Sequence, residues 1–113
     1  MNPTEKTILK LLKESQERHI IQHDGLLREY REYQSYFRKE DGTDAKHKAN
    51  LRYYCEMMDL LEVGPYEEGR FSLEHESLTS RMEKNKAARK RIMEQLKDIK
   101  DQIKEVQAIS QAT

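Results

Sequence analysis

The chain has 113 residues, of which 37% are charged and 35% hydrophobic, and its 21 basic and 21 acidic side chains balance to a formal charge of zero. A neutral chain has no net field that would attract it to nucleic acid or to an anionic membrane. No stretch approaches the roughly 20 apolar residues that a membrane helix requires, so we expect no membrane association. The single cysteine, Cys55, cannot form an intrachain disulfide and favours a reducing compartment, the cytoplasm or the nucleus.

The first helix is predicted over about residues 3–40. Asn2, Pro3 and Glu5 have the order of a capping box, which marks a helix start. Side chains then recur at alternating spacings of three and four residues, which predicts one buried helix face, the seam of this helix. The seam consists of Leu9, Leu12, Gln16, His19, His23, Leu26, Tyr30, Tyr33 and Phe37. Gly25 lies outside the seam and does not shift its register, so we favour a continuous helix over a break at Asp24-Gly25.

The second helix is predicted over about residues 44–63. Gly42 is placed to end the first helix and Thr43 to cap the second, and Gly64-Pro65 is a strong stop signal. The seam of the second helix is predicted to consist of His47, Leu51, Tyr54, Met58 and Leu61.

The third helix is predicted over about residues 72–109, with Ser72 as its cap. Its seam begins with Leu78 and Met82 and is interrupted by polar residues at Asn85 and Arg89. The seam then continues through Ile92, Leu96, Ile99, Ile103 and Val106.

These patterns predict an all-α protein of one domain, an antiparallel three-helix bundle or coiled coil with long, short and long helices. A break at Gly25 would instead produce four helices. A short middle helix covers only part of each long one, so two apolar strips are expected to lack cover within the chain. The strips are residues 8–12 and residues 92–106, and a soluble helix usually buries such a strip against something.

We therefore expect a non-enzymatic adaptor or regulatory module that self-associates, most simply as a homodimer. Alternatively, the same strips could bind a helix of a different protein. The expected interface residues are Leu9, Leu12, Leu96, Ile99, Ile103 and Val106.

His19 and His23 lie four residues apart, so both imidazoles project from one face of the helix. This spacing can chelate a metal such as zinc, with Glu17, Asp24 or His47 as a third ligand. We favour a structural interpretation, in which the two histidines and Gln16 form a polar layer that sets register and partner choice. Protonation of a buried pair near pH 6 would make such an interface sensitive to pH.

One basic cluster occupies residues 84–91 and consists of Lys84, Lys86, Arg89, Lys90 and Arg91. It is the alternative basis for a function, because such a cluster can contact phosphates. No aromatic residues interleave with it to stack on bases, and acidic residues flank it. We therefore favour a solvated helix face over nucleic-acid binding.

Tyr30, Tyr33, Tyr36 and Phe37 form an aromatic stripe that we assign to the core or an interface. A glycine-rich phosphate loop, a nucleophile elbow and a Cys-x-x-Cys pair are all absent from the sequence. We accordingly expect no catalysis, no cofactor and no small-molecule substrate.

About half of the chain resembles tubulin-binding cofactor A, a small three-helix chaperone for β-tubulin. The similar stretches are KTILKLLKES near the N-terminus, the EDG break, and DAKHKANLRYYCEMM after it. The resemblance implies a small helical chaperone as a further alternative. The sequence departs from that family at residues 59–65, where the family has an Ile-Pro-Asp turn, so no functional residue is carried over.

Overall fold

The computed structural model describes residues 2–61 and 76–112. These residues form three helices, which we label α1 (Pro3–Arg38), α2 (Ala45–Leu61) and α3 (Leu78–Ala112). Helices account for 90% of the described residues, which contain no strand. The predicted all-α class with long, short and long helices is confirmed.

Helix α1 continues through Gly25 without interruption, so the four-helix alternative is wrong. Its first turn is closed by the predicted capping box. The Asn2 side-chain oxygen accepts a hydrogen bond from the Glu5 backbone N–H at 2.8 Å, and the Asn2 N–H donates to the Glu5 carboxylate at 3.2 Å. Two backbone N–H groups that no turn of helix could satisfy are thereby paired.

The connection between α1 and α2 reverses the chain through two left-handed residues. Gly42 has φ of 78° and Asp44 has φ of 69°. The first hydrogen bond of α2 runs from the Lys48 N–H to the Asp44 carbonyl at 2.9 Å. Asp44 therefore holds the cap position that we had predicted for Thr43, while the stop at Gly42 matches the left-handed conformation that glycine adopts most readily.

Helix α3 begins at Leu78, later than the predicted start near residue 72. The Ser77 hydroxyl accepts a hydrogen bond from the Ser80 N–H at 3.1 Å, and the Ser77 carbonyl accepts the first helical bond, from Arg81. Ser77 is thus the cap of the helix, since a cap serine characteristically bonds the N–H three residues on. Ser72 and the predicted stop at Gly64-Pro65 lie outside the described residues.

The described chain divides into two compact units. One unit spans Arg28–Lys86 and contains the end of α1, α2 and the start of α3; we call it the three-helix unit. The other combines Met1–Leu27 with Ala87–Thr113, so it is built from the first part of α1 and the last part of α3; we call it the two-helix unit.

The three-helix unit has an aromatic core. The Tyr53 ring meets the rings of Tyr33 and Tyr36 edge to face, with centroids 6.3 Å and 5.6 Å apart. The buried hydrophobic residues are Ala49, Tyr53, Tyr54 and Leu78, and the partly buried hydrophobic residues packed on them are Tyr33, Tyr36, Phe37, Met57 and Met82. The predicted core role of the aromatic stripe is confirmed for its members in this cluster.

The seam predicted for α2 agrees with the buried face only in part. Tyr54 is buried and Leu51 half-buried as predicted, but His47 is exposed, and the burial of Ala49 and Tyr53 lies outside the predicted seam. The side chains of Met58 and Leu61 lie outside those that the structure describes. A short helix that packs against two neighbours buries a broad face, and a narrow heptad template does not locate such a face.

In the two-helix unit the predicted register holds on both helices. The six α1 seam residues from Leu9 to Leu26 are all half-buried. On α3, Ile92 and Ile99 are buried, and the three other seam residues from Leu96 to Val106 are half-buried. The α1 segment leaves this unit at Leu27 and the α3 segment enters it at Ala87, so the two run antiparallel, and the burial of both seams indicates that they face each other.

Candidate protein interface

The six residues predicted as an interface all lie in the two-helix unit. Ile99 is buried and the other five, Leu9, Leu12, Leu96, Ile103 and Val106, are half-buried. The expectation that the two strips lack cover within the chain is wrong, because the unit brings them together. Helices α1 and α3 have 36 and 35 residues, so the start of one reaches the end of the other. Contact of these six side chains with a second molecule stays a prediction.

Apolar side chains on the flanks of the seam, and two beyond the flanks, are exposed. Two packed helices shield only the sides that face each other, so a wide apolar stripe remains partly open to water. The exposed large side chains of the two-helix unit are Ile8 (42%), Leu11 (58%), Ile20 (46%), Ile21 (61%), Met93 (53%) and Ile109 (59%). These flanks, more than the seam itself, are the candidate interface.

The two histidines are half-buried in the α1 seam, as the heptad pattern predicted. His19 Nδ1 lies 2.7 Å from the Ser15 carbonyl oxygen, so this nitrogen carries the proton and donates. Among residues 2–61 and 76–112, no three His, Cys, Asp or Glu side chains are grouped closely enough to hold a metal ion together. The described geometry thus supports a polar layer in the seam and offers no third ligand for a metal.

The basic cluster is not uniformly exposed. Lys84 is exposed and is paired with Glu76, whereas Arg89 is half-buried in the α3 seam. The other members, Lys86, Lys90 and Arg91, are exposed. Residues four apart lie about 40° apart around a helix, so Lys86 and Lys90 share a face, and Arg91 points about 100° away from Lys90. Contact of this cluster with nucleic acid stays the alternative prediction.

Among the described residues, the side chains whose pKa values are clearly shifted are three tyrosines of the three-helix unit. Burial and a hydrogen bond to Glu56 raise the pKa of Tyr36 to about 12. Burial, with smaller effects from neighbouring charges, also raises the pKa of Tyr33 and of Tyr53. Each shift keeps a phenol protonated, which suits a hydroxyl that donates a structural hydrogen bond rather than one that accepts a proton from a substrate.

Arg52 is an organising residue that sequence reasoning missed. Its guanidinium donates to Glu40 at 3.1 Å and to the backbone carbonyls of Ser35 and Tyr36, and it lies 5.2 Å from the centre of the Tyr36 ring. It therefore satisfies carbonyls in the last turn of α1 from the neighbouring helix. No local sequence motif indicates this role, because the hydrogen-bond partners of Arg52 lie 12 to 17 residues away in the sequence.

Asn50 plays the corresponding role for α3. Its side-chain oxygen accepts a hydrogen bond from the Leu78 N–H at 3.1 Å, across 28 residues of sequence. Arg52 and Asn50 both fix helix ends inside the three-helix unit.

Cys55 is half-buried and carries a free thiol. None of the described helices is both long and apolar enough to cross a membrane. Comparison of the chain with protein-family models, with curated proteins and with solved structures finds no match, so the resemblance to tubulin-binding cofactor A gains no support.

Proposed function

We propose that this chain is a non-enzymatic helical interaction module, an adaptor or regulatory element, that self-associates through its two-helix unit as a dimer. The observation that carries the proposal is the incomplete burial of that unit. Among its described side chains, only Ile92 and Ile99 are buried and apolar, while six large apolar side chains on and beyond its flanks are at least 42% exposed.

The energetic argument concerns those exposed side chains. Removing apolar surface from water contributes about 25 cal/mol per Å², and isolated pairs of helices rarely bury enough to be stable alone. A second pair of helices packed on the first would convert a two-layer unit into a four-helix arrangement with an enclosed core. Self-association therefore supplies what the two-helix unit lacks.

The chemistry of the chain is consistent with a structural role in a reducing compartment, such as the cytoplasm. Its single cysteine needs no disulfide partner. The described hydrogen bonds and ion pairs connect helix ends and helix flanks. Helices paired along a heptad seam commonly serve as assembly elements.

The test is the native mass of the full chain, measured by sedimentation velocity or light scattering over a wide range of concentrations. We expect a mass of twice 13.5 kDa at high concentration and dissociation toward 13.5 kDa on dilution. A mass of one chain at every concentration would contradict the proposal.

Substitutions in the seam are a poor test of this proposal. Leu96→Glu with Ile103→Glu would place charges between α1 and α3 of the same chain, because both residues lie in the intramolecular seam. We expect that double variant to lose helix content in circular dichroism, which would hide any effect on association.

A further inference from the structure

The two flanks of the two-helix unit differ in charge. In a heptad labelled a to g, the seam residues occupy positions a and d, and positions e and g border the seam on either side. When two helices run antiparallel, the g positions of both lie on one flank and the e positions of both lie on the other. The seam register of α1 and α3 therefore assigns each e and g residue of the unit to one flank or the other.

The g flank carries no charge. Its residues are Ile8, Ser15 and Gln22 from α1, and Ala88, Gln95, Gln102 and Ile109 from α3. We call this surface the uncharged face. The e flank consists of Lys6, Lys13, Ile20, Leu27, Met93, Lys100 and Gln107, so three of its seven positions are lysine. In a chain with 37% charged residues, seven uncharged g positions are a marked departure from the composition.

Positions e and g of a coiled coil that is surrounded by water usually carry Glu and Lys. Charged side chains are avoided where they would be taken out of water without a partner. The uncharged face therefore has the composition of a surface that is covered. At one end of this face, Ile8 is 42% exposed and Ile109 is 59% exposed, with Leu11, 58% exposed, beside Ile8 on the same helix.

We propose that a second copy of this chain covers the uncharged face, with a two-fold axis parallel to the helices, so that α1 of each copy packs beside α3 of the other. This inference rests on the proposed self-association and names the surface that mediates it. The result is a four-helix bundle in which neighbouring helices are antiparallel.

Self-pairing suits this face because a two-fold axis places identical surfaces together. A face bearing Lys6, Lys13 and Lys100 would then oppose like charges. The uncharged face instead presents Gln22, Gln95 and Gln102, and each glutamine amide carries both donors and an acceptor. Glutamines of one copy can therefore bond glutamines of the other without complementary charges.

The size of the face also matches a dimer interface. Two segments of 27 residues, at about 1.5 Å per residue and roughly 10 Å wide each, present a face of roughly 800 Å². Each partner in an interface of standard size contributes about 800 Å².

The rim beside the face shows charge complementarity for this arrangement. The c positions of α1 that border the face are Thr4, Leu11, Arg18 and Gly25, so Arg18 is the one ionised residue there. The bordering c positions of α3 are Arg91, Asp98, Glu105 and Ala112, and Arg91 lies near the level of the uncharged Gly25. Because the two helices are antiparallel, residue 27 of α1 and residue 87 of α3 lie at the same end of the unit. Arg18 is nine residues from that end and Asp98 is eleven residues from it, so the two lie at similar heights along the helices. Placing α1 beside α3 of the other copy brings Arg18 opposite Asp98.

The first experiment compares two double variants of the full chain by sedimentation velocity. Ile8→Gln with Ile109→Gln alters the uncharged face, and the matched control, Ile20→Gln with Met93→Gln, alters the e flank at residues of similar exposure, 46% and 53%. All four positions are exposed, so we expect unchanged helix content by circular dichroism. We expect the first variant to raise the dimer dissociation constant about a hundredfold or more and the control to leave it within about threefold of the wild type.

The second experiment reverses the rim charges. Arg18→Asp places two acids together and should raise the dissociation constant about tenfold, and addition of Asp98→Arg should restore it. If the control variant dissociates and the Ile8 and Ile109 variant remains a dimer, the assignment of the face is overturned, although self-association itself is not. Failure of the second charge reversal to restore association would overturn the arrangement of α1 beside α3. A wild-type chain that is monomeric at every concentration would instead refute the proposed function.

Discussion

The hydroxyl of Tyr36 donates a hydrogen bond to the carboxylate of Glu56 at 2.5 Å, and this contact joins α1 to α2 at the edge of the aromatic core. Because burial and the carboxylate raise the pKa of Tyr36 to about 12, the folded state holds the phenolic proton more tightly than the unfolded chain, in which the pKa is near 10.0. The stabilisation is complete below the unfolded pKa and is lost as the pH rises through the folded value.

We therefore predict that the free energy of unfolding falls as the pH is raised from about 10 to about 12. Urea unfolding at a series of pH values would measure it. Tyr36→Phe removes the titrating group, so we expect the variant to be less stable at neutral pH and to show a shallower alkaline decline. Equal slopes for the two proteins in this pH range would show that Tyr36 does not contribute to the decline.

Replacing Arg52 by lysine tests the tie between α2 and the end of α1. Lysine keeps the positive charge but lacks the planar fork that reaches Glu40 and the two carbonyls of α1 together. We expect Arg52→Lys to lower the free energy of unfolding by about 1–2 kcal/mol. Arg28→Lys, at an exposed position on α1, is the matched control and should be neutral. Equal stability of the two variants would mean that charge alone, without the fork, accounts for the contribution of Arg52.

Removing the Asn50 side chain tests the hydrogen bond that it accepts at the start of α3. Asn50→Ala leaves the partly buried N–H of Leu78 without its side-chain acceptor, and we expect a loss of about 1–2 kcal/mol in a urea titration. Asn50→Asp keeps an acceptor oxygen beside the positive end of the helix dipole and should retain most of the stability. If the aspartate variant were destabilised as much as the alanine variant, the hydrogen bond from the Leu78 N–H to residue 50 would not account for the loss.

Gly25 is a place where the chain can be stabilised. It lies inside α1, and a Cβ added there would have nothing within 4 Å. We expect Gly25→Ala to raise the free energy of unfolding by about 0.5–1 kcal/mol, because alanine loses less backbone entropy on entering a helix. Gly42→Ala is the contrasting control, since φ of 78° at that residue strains any side chain and should make the variant less stable. A destabilised Gly25→Ala protein would show that the helix needs flexibility at this point.

The sequence alone was sufficient to predict the helices. A helix depends on neighbours within one or two turns, so the Asn2–Glu5 capping box, the continuity of α1 through Gly25 and the register of both long seams could all be predicted from local spacing. Predictions of helix ends were weaker. Thr43 and other serines could cap these helices as well as Asp44 and Ser77. Which residue becomes the cap depends on the backbone conformation of the preceding turn.

The tertiary structure alone decided which surfaces are covered. The strips at the start of α1 and the end of α3 are both apolar. Each covers the other only because two segments far apart in the sequence pair antiparallel. The same pairing places every g position on one flank, so the uncharged face is distributed over both ends of the chain. Arg52 and Asn50 show the same limit at the level of single side chains, because the helix ends that they satisfy are brought to them by packing. Local periodicity determines which residues share a helix face, whereas long-range packing determines which other part of the chain that face contacts.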